Sequence, residues 1–168
     1  MDLAISLRPR TPADEAFLRA LYGSTRAPEL APLGWTAEQL DAFLELQYRA
    51  REAHYRREHP AAQDCIVVAG DAPAGRLEVD RTGEAILVVD LALVATRRGQ
   101  GIGTCLLQRL IDEAEEEGRS IELHVEVTNP ARRLYERLGF LPVAEAPPYL
   151  RMRWHPHGPE ADSRLSRT

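Results

Sequence analysis

From Ala85 to Val94 the chain is apolar at every position but Asp90. A short run of this kind, apolar on both faces, is a central strand, because neither face can be left in water. The next segment is unusually specific. A glycine-knotted turn, Arg98-Gly99-Gln100-Gly101-Ile102-Gly103, leads into Thr104–Glu117, where Leu106, Leu107, Leu110, Ile111 and Ala114 line one helix face and Gly118 can stop the helix. Ile121 to Val127 then alternates, with Glu122, His124 and Glu126 on the polar face. Asn129-Pro130 starts a short helix that carries Tyr135 and ends near Gly139.

The first turn of a helix leaves backbone N–H groups without partners, and the helix dipole makes that end attractive to anions. Glycines let a phosphate approach the backbone with no Cβ in the way. Gly99, Gly101 and Gly103, between a buried strand and a strong helix, fit a phosphate cradle; they fit a tight packing turn equally well. Two familiar cradles fail on spacing. A P-loop needs Lys and then Ser or Thr after its last glycine, and Gly103 is followed by Thr104-Cys105. A dinucleotide fingerprint needs Gly-x-Gly-x-x-Gly after a first strand, whereas these glycines alternate and several strands precede them.

The rest of the chain reads as ordinary supporting structure. Leu3–Leu7 is an edge strand, and Thr11-Pro12-Ala13-Asp14 opens a helix with Phe17, Leu18 and Leu21 on its apolar face. Gly23–Trp35, with two prolines and two glycines, reads as a loop. Thr36 caps a second helix toward His59, its charged later part (Arg49, Arg51, Glu52, Arg56, Arg57, Glu58) facing solvent. Cys65–Ala69, a turn at Gly70–Gly75 and Arg76–Asp80 form a hairpin, and Tyr149–Trp154 is a last strand. The length of 168 residues suits one domain, expected over 1–154, with 155–168 as a flexible tail. A net charge of −5 argues against nucleic acid as the main partner. With no signal-peptide pattern, no run of about 20 apolar residues and only Cys65 and Cys105 for thiols, a cytoplasmic protein away from membranes is expected. No metal is expected: His54 and His59 are wrongly spaced for one helix face, and His155-x-His157 falls in the tail.

Arg98-x-x-Gly101-x-Gly103, preceded by Asp90-Leu91-Ala92-Leu93 and followed by Asn129-Pro130-Ala131-Arg132-Arg133-Leu134-Tyr135-Glu136-Arg137-Leu138-Gly139-Phe140, resembles the GNAT family of acyl-CoA-dependent N-acyltransferases. The specific likeness covers Asp90 to Phe140. It implies an α/β fold with a mixed, mostly antiparallel sheet, two splayed central parallel strands and flanking helices. It also implies acetyl-CoA as co-substrate. The pantetheine arm would pair with the backbone at Leu91, Ala92 and Leu93. The diphosphate would lie against Arg98, Gly99, Gln100, Gly101, Ile102, Gly103 and Thr104, mainly on their amides, and Asn129 would hydrogen-bond the arm while capping its helix.

Tyr135 would serve as the acid at the departing thiolate, with a packed aromatic as the plain alternative. The base that deprotonates the amine is open: His124, whose ordinary pKa of about 6.5 suits the task, Asp90, Glu84 or water. Some family members carry a Glu deeper in the strand, where this chain has Leu87. Neither cysteine sits where a nucleophile belongs, so the expected reaction is direct attack by a primary amine. The acceptor, a small molecule or a protein amine, would be framed by Gly23–Trp35, the second helix and Pro147–Tyr149. A homodimer is left open. The rival readings are a non-catalytic acyl-CoA sensor of the same fold and a nucleotide-binding module using the glycine turn.

Overall fold

The computed structural model describes residues 4–156. Leu3, the start of the expected first strand, and residues 157–168, which hold most of the expected tail, lie outside the described residues. In chain order the elements are β1 (Ile5–Pro9), α1 (Glu15–Leu30), α2 (Ala37–Glu58), β2 (Gln63–Ala69), β3 (Ala72–Asp80), β4 (Ile86–Leu93), α3 (Ile102–Glu117), β5 (Ile121–Glu126), α4 (Arg132–Arg137), β6 (Leu141–Ala146) and β7 (Tyr149–Trp154). The strands hydrogen-bond in the order β1-β2-β3-β4-β5-β7-β6. The sheet is mixed and mostly antiparallel, the β4–β5 pair being parallel, as the α/β expectation requires. β4 is central, with a strand on either side. The chain divides into two compact units, Met1–Glu78 with Asp90–Gln100, and Val79–Val89 with Gly101–Thr168.

In the first unit β1 pairs antiparallel with β2, from Ile5–Ala69 to Pro9–Cys65. Leu18 and Tyr22 of α1, Tyr48 of α2 and Ile66 of β2 form a buried cluster, with Phe17, Leu44 and Val68 packed against it. Each such side chain contributes about 1.5–3 kcal/mol by leaving water. A 3-10 turn at Pro12–Asp14 precedes α1, and the Asp14 carboxylate accepts hydrogen bonds from Thr11 N (2.8 Å) and Oγ1 (3.1 Å). The helix then runs straight through much of the expected loop, past Gly23 and Pro28, to Leu30, with a second 3-10 turn at Ala31–Leu33. Burial of Leu18, Leu21 and Tyr22 outweighs the one backbone bond Pro28 cannot make. Gly23 is where the helices run close: a Cβ there would lie 3.6 Å from Leu44 Cδ1.

Thr36 caps α2 as expected, its Oγ1 accepting from Gln39 N (3.2 Å) while Gln39 Oε1 accepts from Thr36 N (3.0 Å). The charged later part of this helix is not all solvated, however. Glu52 is buried and Arg51 half-buried, because both join charged side chains from the strands beneath them. The hairpin turn is also shorter than expected. β3 begins at Ala72, so Gly75 lies inside the strand, where a Cβ would sit 2.2 Å from Ala92 O. Gly75 marks a close backbone approach rather than a turn.

In the second unit α3 starts two residues before Thr104 and buries Ile102, Leu106, Leu107, Leu110, Ile111 and Ala114. Ile121, Leu123 and Val125 of β5 face inward, as the alternation predicts. β7 lies antiparallel to β5 from Trp154–Ile121 to Tyr149–Glu126, and β6 pairs with β7 at the sheet edge. β6 was not readable: all six of its residues are exposed, so no alternation marks it. Glu84, one of the candidate bases, lies exposed in the bend before β4, away from the strand that carries Asp90. Arg119 holds that bend, donating to Arg81 O (2.7 Å) and Gly83 O (2.9 Å).

Candidate active site

The turn after β4 is fixed by its own side chains. Arg98 Nε donates to Leu93 O (3.0 Å), and Gln100 Nε2 donates to Thr96 O (2.9 Å). Gly99 and Gly101 both have positive φ, 70° and 80°, which side-chain-bearing residues rarely adopt. A Cβ on either would meet nothing within 4 Å. These two glycines therefore serve backbone conformation and leave clear space above it. Gly103 is different: a Cβ there would stand 3.2 Å from Leu134 Cδ2, so it is a packing glycine. The first helical bond runs from Cys105 N to Gly101 O (2.9 Å), so the amides of Ile102, Gly103 and Thr104 lie ahead of the ladder. At the start of a helix of 16 residues, those amides and the dipole favour an anion. A diphosphate asks for backbone donors and no intruding Cβ; the amides of Ile102, Gly103 and Thr104 meet the first condition, and Gly99 and Gly101 the second.

Leu91, Ala92 and Leu93 form the half-buried end of β4. The parallel register with β5 covers Ile86–Ile121, Leu87–Glu122 and Val88–Leu123, while β4 continues to Leu93 and β5 to Glu126.

In the second unit Asn129 is exposed. Its Oδ1 accepts from Ala131 N (2.9 Å) and its carbonyl from Arg132 N (3.1 Å), so it caps the turn leading into α4. Tyr135 is 7 % exposed and packs edge-on against Phe140, their ring centroids 5.9 Å apart. Phe140 N donates to Tyr135 O (3.0 Å), so the Leu-Tyr and Gly-Phe pieces of the motif are also a packing unit. His124 is exposed on β5, opposite Arg151 of β7. Glu122, on the same face, accepts from Arg153 Nε (2.7 Å).

Sequence reasoning missed a second charged assembly, wholly within the first unit. Arg76 is 2 % exposed and lies among carboxylates. It donates to Asp64 through Nε (2.9 Å) and Nη2 (2.8 Å), to Glu52 (2.5 Å) and to Glu78 (2.9 Å). Arg10 donates to Glu52 (2.6 Å), Asp64 (2.9 Å) and Glu15 (2.7 Å). Asp90 Oδ2 lies 3.4 Å from Arg51 and 3.7 Å from Arg76, yet this buried oxygen accepts no hydrogen bond among the described residues. Arg51 also stacks over the Tyr22 and Tyr55 rings, at 4.5 and 5.3 Å. Burial raises the Glu78 carboxyl to about 7, with the neighbouring carboxylates adding to the rise and Arg76 opposing it. Burial likewise raises Asp90 against the pull of Arg51 and Arg76. Glu52 ends lowered, because Arg10 and Arg76 overcome the effect of its burial. A cleft of about 480 Å³ opens beside the network, lined by Glu52, Tyr55, His59, Asp64, Arg76 and Glu78 among others. The available signal was Asp90 itself, a lone charge in an apolar strand that needs buried partners.

No helix among the described residues is long and apolar enough to cross a membrane. The model of the Acetyltransferase (GNAT) family matches residues 28–140. Among solved structures, the PaiA N-acetyltransferase from Thermoplasma acidophilum in complex with coenzyme A is 16% identical, with a TM-score of 0.68 over 91% of this chain and 99% of that one. An acetyltransferase from Thermus thermophilus is 21% identical, with a TM-score of 0.64 over 91% and 97%. The ribosomal-protein-S18-alanine N-acetyltransferase from Escherichia coli is 17% identical, with a TM-score of 0.58 over 94% and 98%. At such identities the likeness is one of fold. No curated protein matches the sequence.

Proposed function

The chain belongs to the GNAT acetyltransferase family, and from that premise we propose that it moves an acetyl group from acetyl-CoA to a primary amine by direct attack. Residues 1–154 act as one domain in this reading, working in the cytoplasm on a small-molecule or protein amine. The observation that carries it is the turn after β4, where two left-handed glycines leave open space before the free amides of α3. Amides from Gly99 to Thr104 hold the diphosphate of coenzyme A. The backbone of Leu91–Leu93 holds the pantetheine arm, which Asn129 also engages through its amide N–H₂.

When bound, acetyl-CoA supplies the thioester. The protein's part is to orient it and to move protons. The Tyr135 hydroxyl donates to the sulfur as thiolate charge develops, and either His124 or Asp90 takes the proton from the acceptor ammonium. Asp90 is a candidate for that base on one observation: its buried Oδ2 accepts no hydrogen bond among the described residues and so is available to a donor.

Calorimetry with coenzyme A and acetyl-CoA, followed by thiol release across a panel of amines, tests the proposal. Binding with release is expected. Binding without release would make the chain an acyl-CoA sensor. Thermal protection by ATP or NAD but not by coenzyme A would make the turn a nucleotide site. Tyr135→Phe should lower kcat about a hundredfold, within the usual range for loss of an acid, and leave affinity for coenzyme A nearly unchanged. Unchanged turnover would remove Tyr135 from the mechanism.

A further inference from the structure

The ion network of the first unit is unbalanced. Four carboxylates with little exposure, Glu52 (9 %), Asp64 (21 %), Glu78 (6 %) and Asp90 (14 %), face three guanidinium groups, those of Arg10, Arg51 and Arg76. Among the described residues one bound proton balances this buried set; Glu15, a further partner of Arg10, has a side chain 44 % exposed and keeps its charge in water. An uncompensated buried charge is costly, so a proton is the natural fourth cation.

Hydrogen bonding decides where the proton resides. Glu52 accepts from both Arg10 and Arg76, and Asp64 accepts from both as well. Among the described residues Glu78 accepts from Arg76 alone, and Asp90 Oδ2 accepts from neither of the guanidinium groups beside it. The surplus negative charge therefore falls on Glu78 and Asp90, which Arg76 touches from one side each. Asp90 directly precedes Leu91, the first residue of the strand end assigned to the pantetheine arm. Glu78 lines the cleft that opens to water.

We propose that Glu78 and Asp90 share one exchangeable proton across Arg76, and that Glu78, acting through Asp90, makes the pair basic enough to deprotonate the acceptor ammonium. The inference rests on the transferase reading above. Both carboxyl groups are raised, chiefly by burial, and Glu78 reaches about 7, which suits exchange near neutrality. The ammonium gives one proton to the pair. The neutral amine then forms the C–N bond as the C–S bond breaks. The nitrogen loses a second proton on becoming an amide and the thiolate gains one, so each turnover leaves one proton for the pair to discharge through the cleft.

The charged and titratable groups around Glu78 come from every neighbouring element. Arg76 is on its own strand, Asp64 on β2 and Asp90 on β4, while Glu52 and Tyr55 come from α2. Arg56 of α2, His59 just after it, Arg10 after β1 and Glu15 of α1 line the same cleft. Tyr55, raised to about 12 by burial and by Asp90, stays protonated throughout.

The test is the full-length protein with Glu78→Gln, which keeps the volume and an oxygen for Arg76 but cannot ionise. Infrared titration without ligands should show a protonated-carboxyl band in the wild type that disappears near neutrality, and no such band in the variant. In the kcat/KM profile the acid limb should move at least tenfold in proton concentration toward acid, with a tenfold or greater loss on the plateau, because Asp90 alone is a weaker base. Glu78→Asp should restore the limb toward the wild-type position. Coenzyme A affinity should change less than threefold in both variants. An unmoved acid limb in Glu78→Gln, or an acid limb that moves only in His124→Gln, would overturn the proposal, as would a wild type with no such band. Absence of coenzyme A binding in the wild type would instead sink the transferase reading, and this inference with it.

Discussion

The glycine turn after β4 and the ion network around Arg76 both manage charge, the first with backbone and the second with side chains. The turn presents amides in open space, and its own polar side chains, Arg98 and Gln100, are tied back to Leu93 O and Thr96 O. Its negative partner is the ligand. The network supplies its own partners: its guanidinium groups lie against its carboxylates and neutralise all but one of their charges. A site that awaits a partner can thus lose its ligand with little harm to the fold. A network that pairs its own buried charges loses stability when one of its cations is removed.

Gly101→Asp should have the largest effect and should fall on the ligand alone. It forces a side chain into a left-handed conformation, which costs about 1 kcal/mol, and sets a carboxylate against the diphosphate. Affinity for coenzyme A should drop by about a thousandfold or more, close to 4 kcal/mol, with the protein still folded by circular dichroism. A variant that binds normally would move the diphosphate elsewhere.

Arg76→Met should do the reverse. The volume is kept, but four carboxylates are left facing two guanidinium groups, and breaking a buried ion pair costs about 3–5 kcal/mol. Urea unfolding should show that loss. A change under about 1 kcal/mol would mean the cluster is relieved by protonation instead.

The two regions also differ in how well the sequence announces them. The turn was legible because glycines leave a trace in spacing, and because the helix and strand beside it have clean periodicities of Leu106–Leu107–Leu110 and Ile121–Leu123–Val125. The network was hidden for the opposite reason. Arg51 and Glu52 read as a wet helix face and Arg76–Asp80 as one strand of a hairpin; only the fold lays one upon the other. The same blindness explains the Gly23–Trp35 segment, where glycine and proline suggested a loop but tertiary burial of Leu18, Leu21 and Tyr22 sustains α1 to Leu30. The exposed edge strand β6 offered no pattern at all. Tyr135 and Asn129 were found by motif, and the structure shows each also engaged in packing or capping.

The network should also write itself into the pH dependence of stability. Glu78 has a folded-state pKa of about 7 against an ordinary 4.5, so between those values the native state holds a proton that the unfolded chain has released. Stability from this group is therefore greatest below 4.5 and declines as pH rises toward 7, by about 3 kcal/mol at most, since each pH unit is worth about 1.4 kcal/mol. Urea midpoints compared at about pH 5 and about pH 8 should fall in the wild type more than in Glu78→Gln, after subtraction of baseline slopes. Equal declines would place the titrating group elsewhere. Asp14, held below the usual carboxylate range chiefly by Arg8, acts with the opposite sign: its contribution is present above 3.8 and is lost only in stronger acid, outside this window.

The smallest effect expected is the one that divides the turn itself. Gly103 belongs to the same glycine spacing as Gly99 and Gly101, but its φ is ordinary and its missing Cβ faces Leu134 Cδ2 at 3.2 Å rather than open space. In Gly103→Ala, Leu134 must yield a few tenths of an ångström, against a gain of up to about 1 kcal/mol in helix propensity. The net change in stability should stay within about 1 kcal/mol, and the amide of residue 103 remains in place for the diphosphate. Coenzyme A affinity should change less than about threefold, or some 0.7 kcal/mol. Any loss should appear in kcat, because Leu134 adjoins Tyr135 in α4. If Gly103→Ala lost the ligand as deeply as Gly101→Asp, the space needed by the diphosphate would lie on the Leu134 side of the helix start, and the open face above Gly99 and Gly101 would be the wrong one.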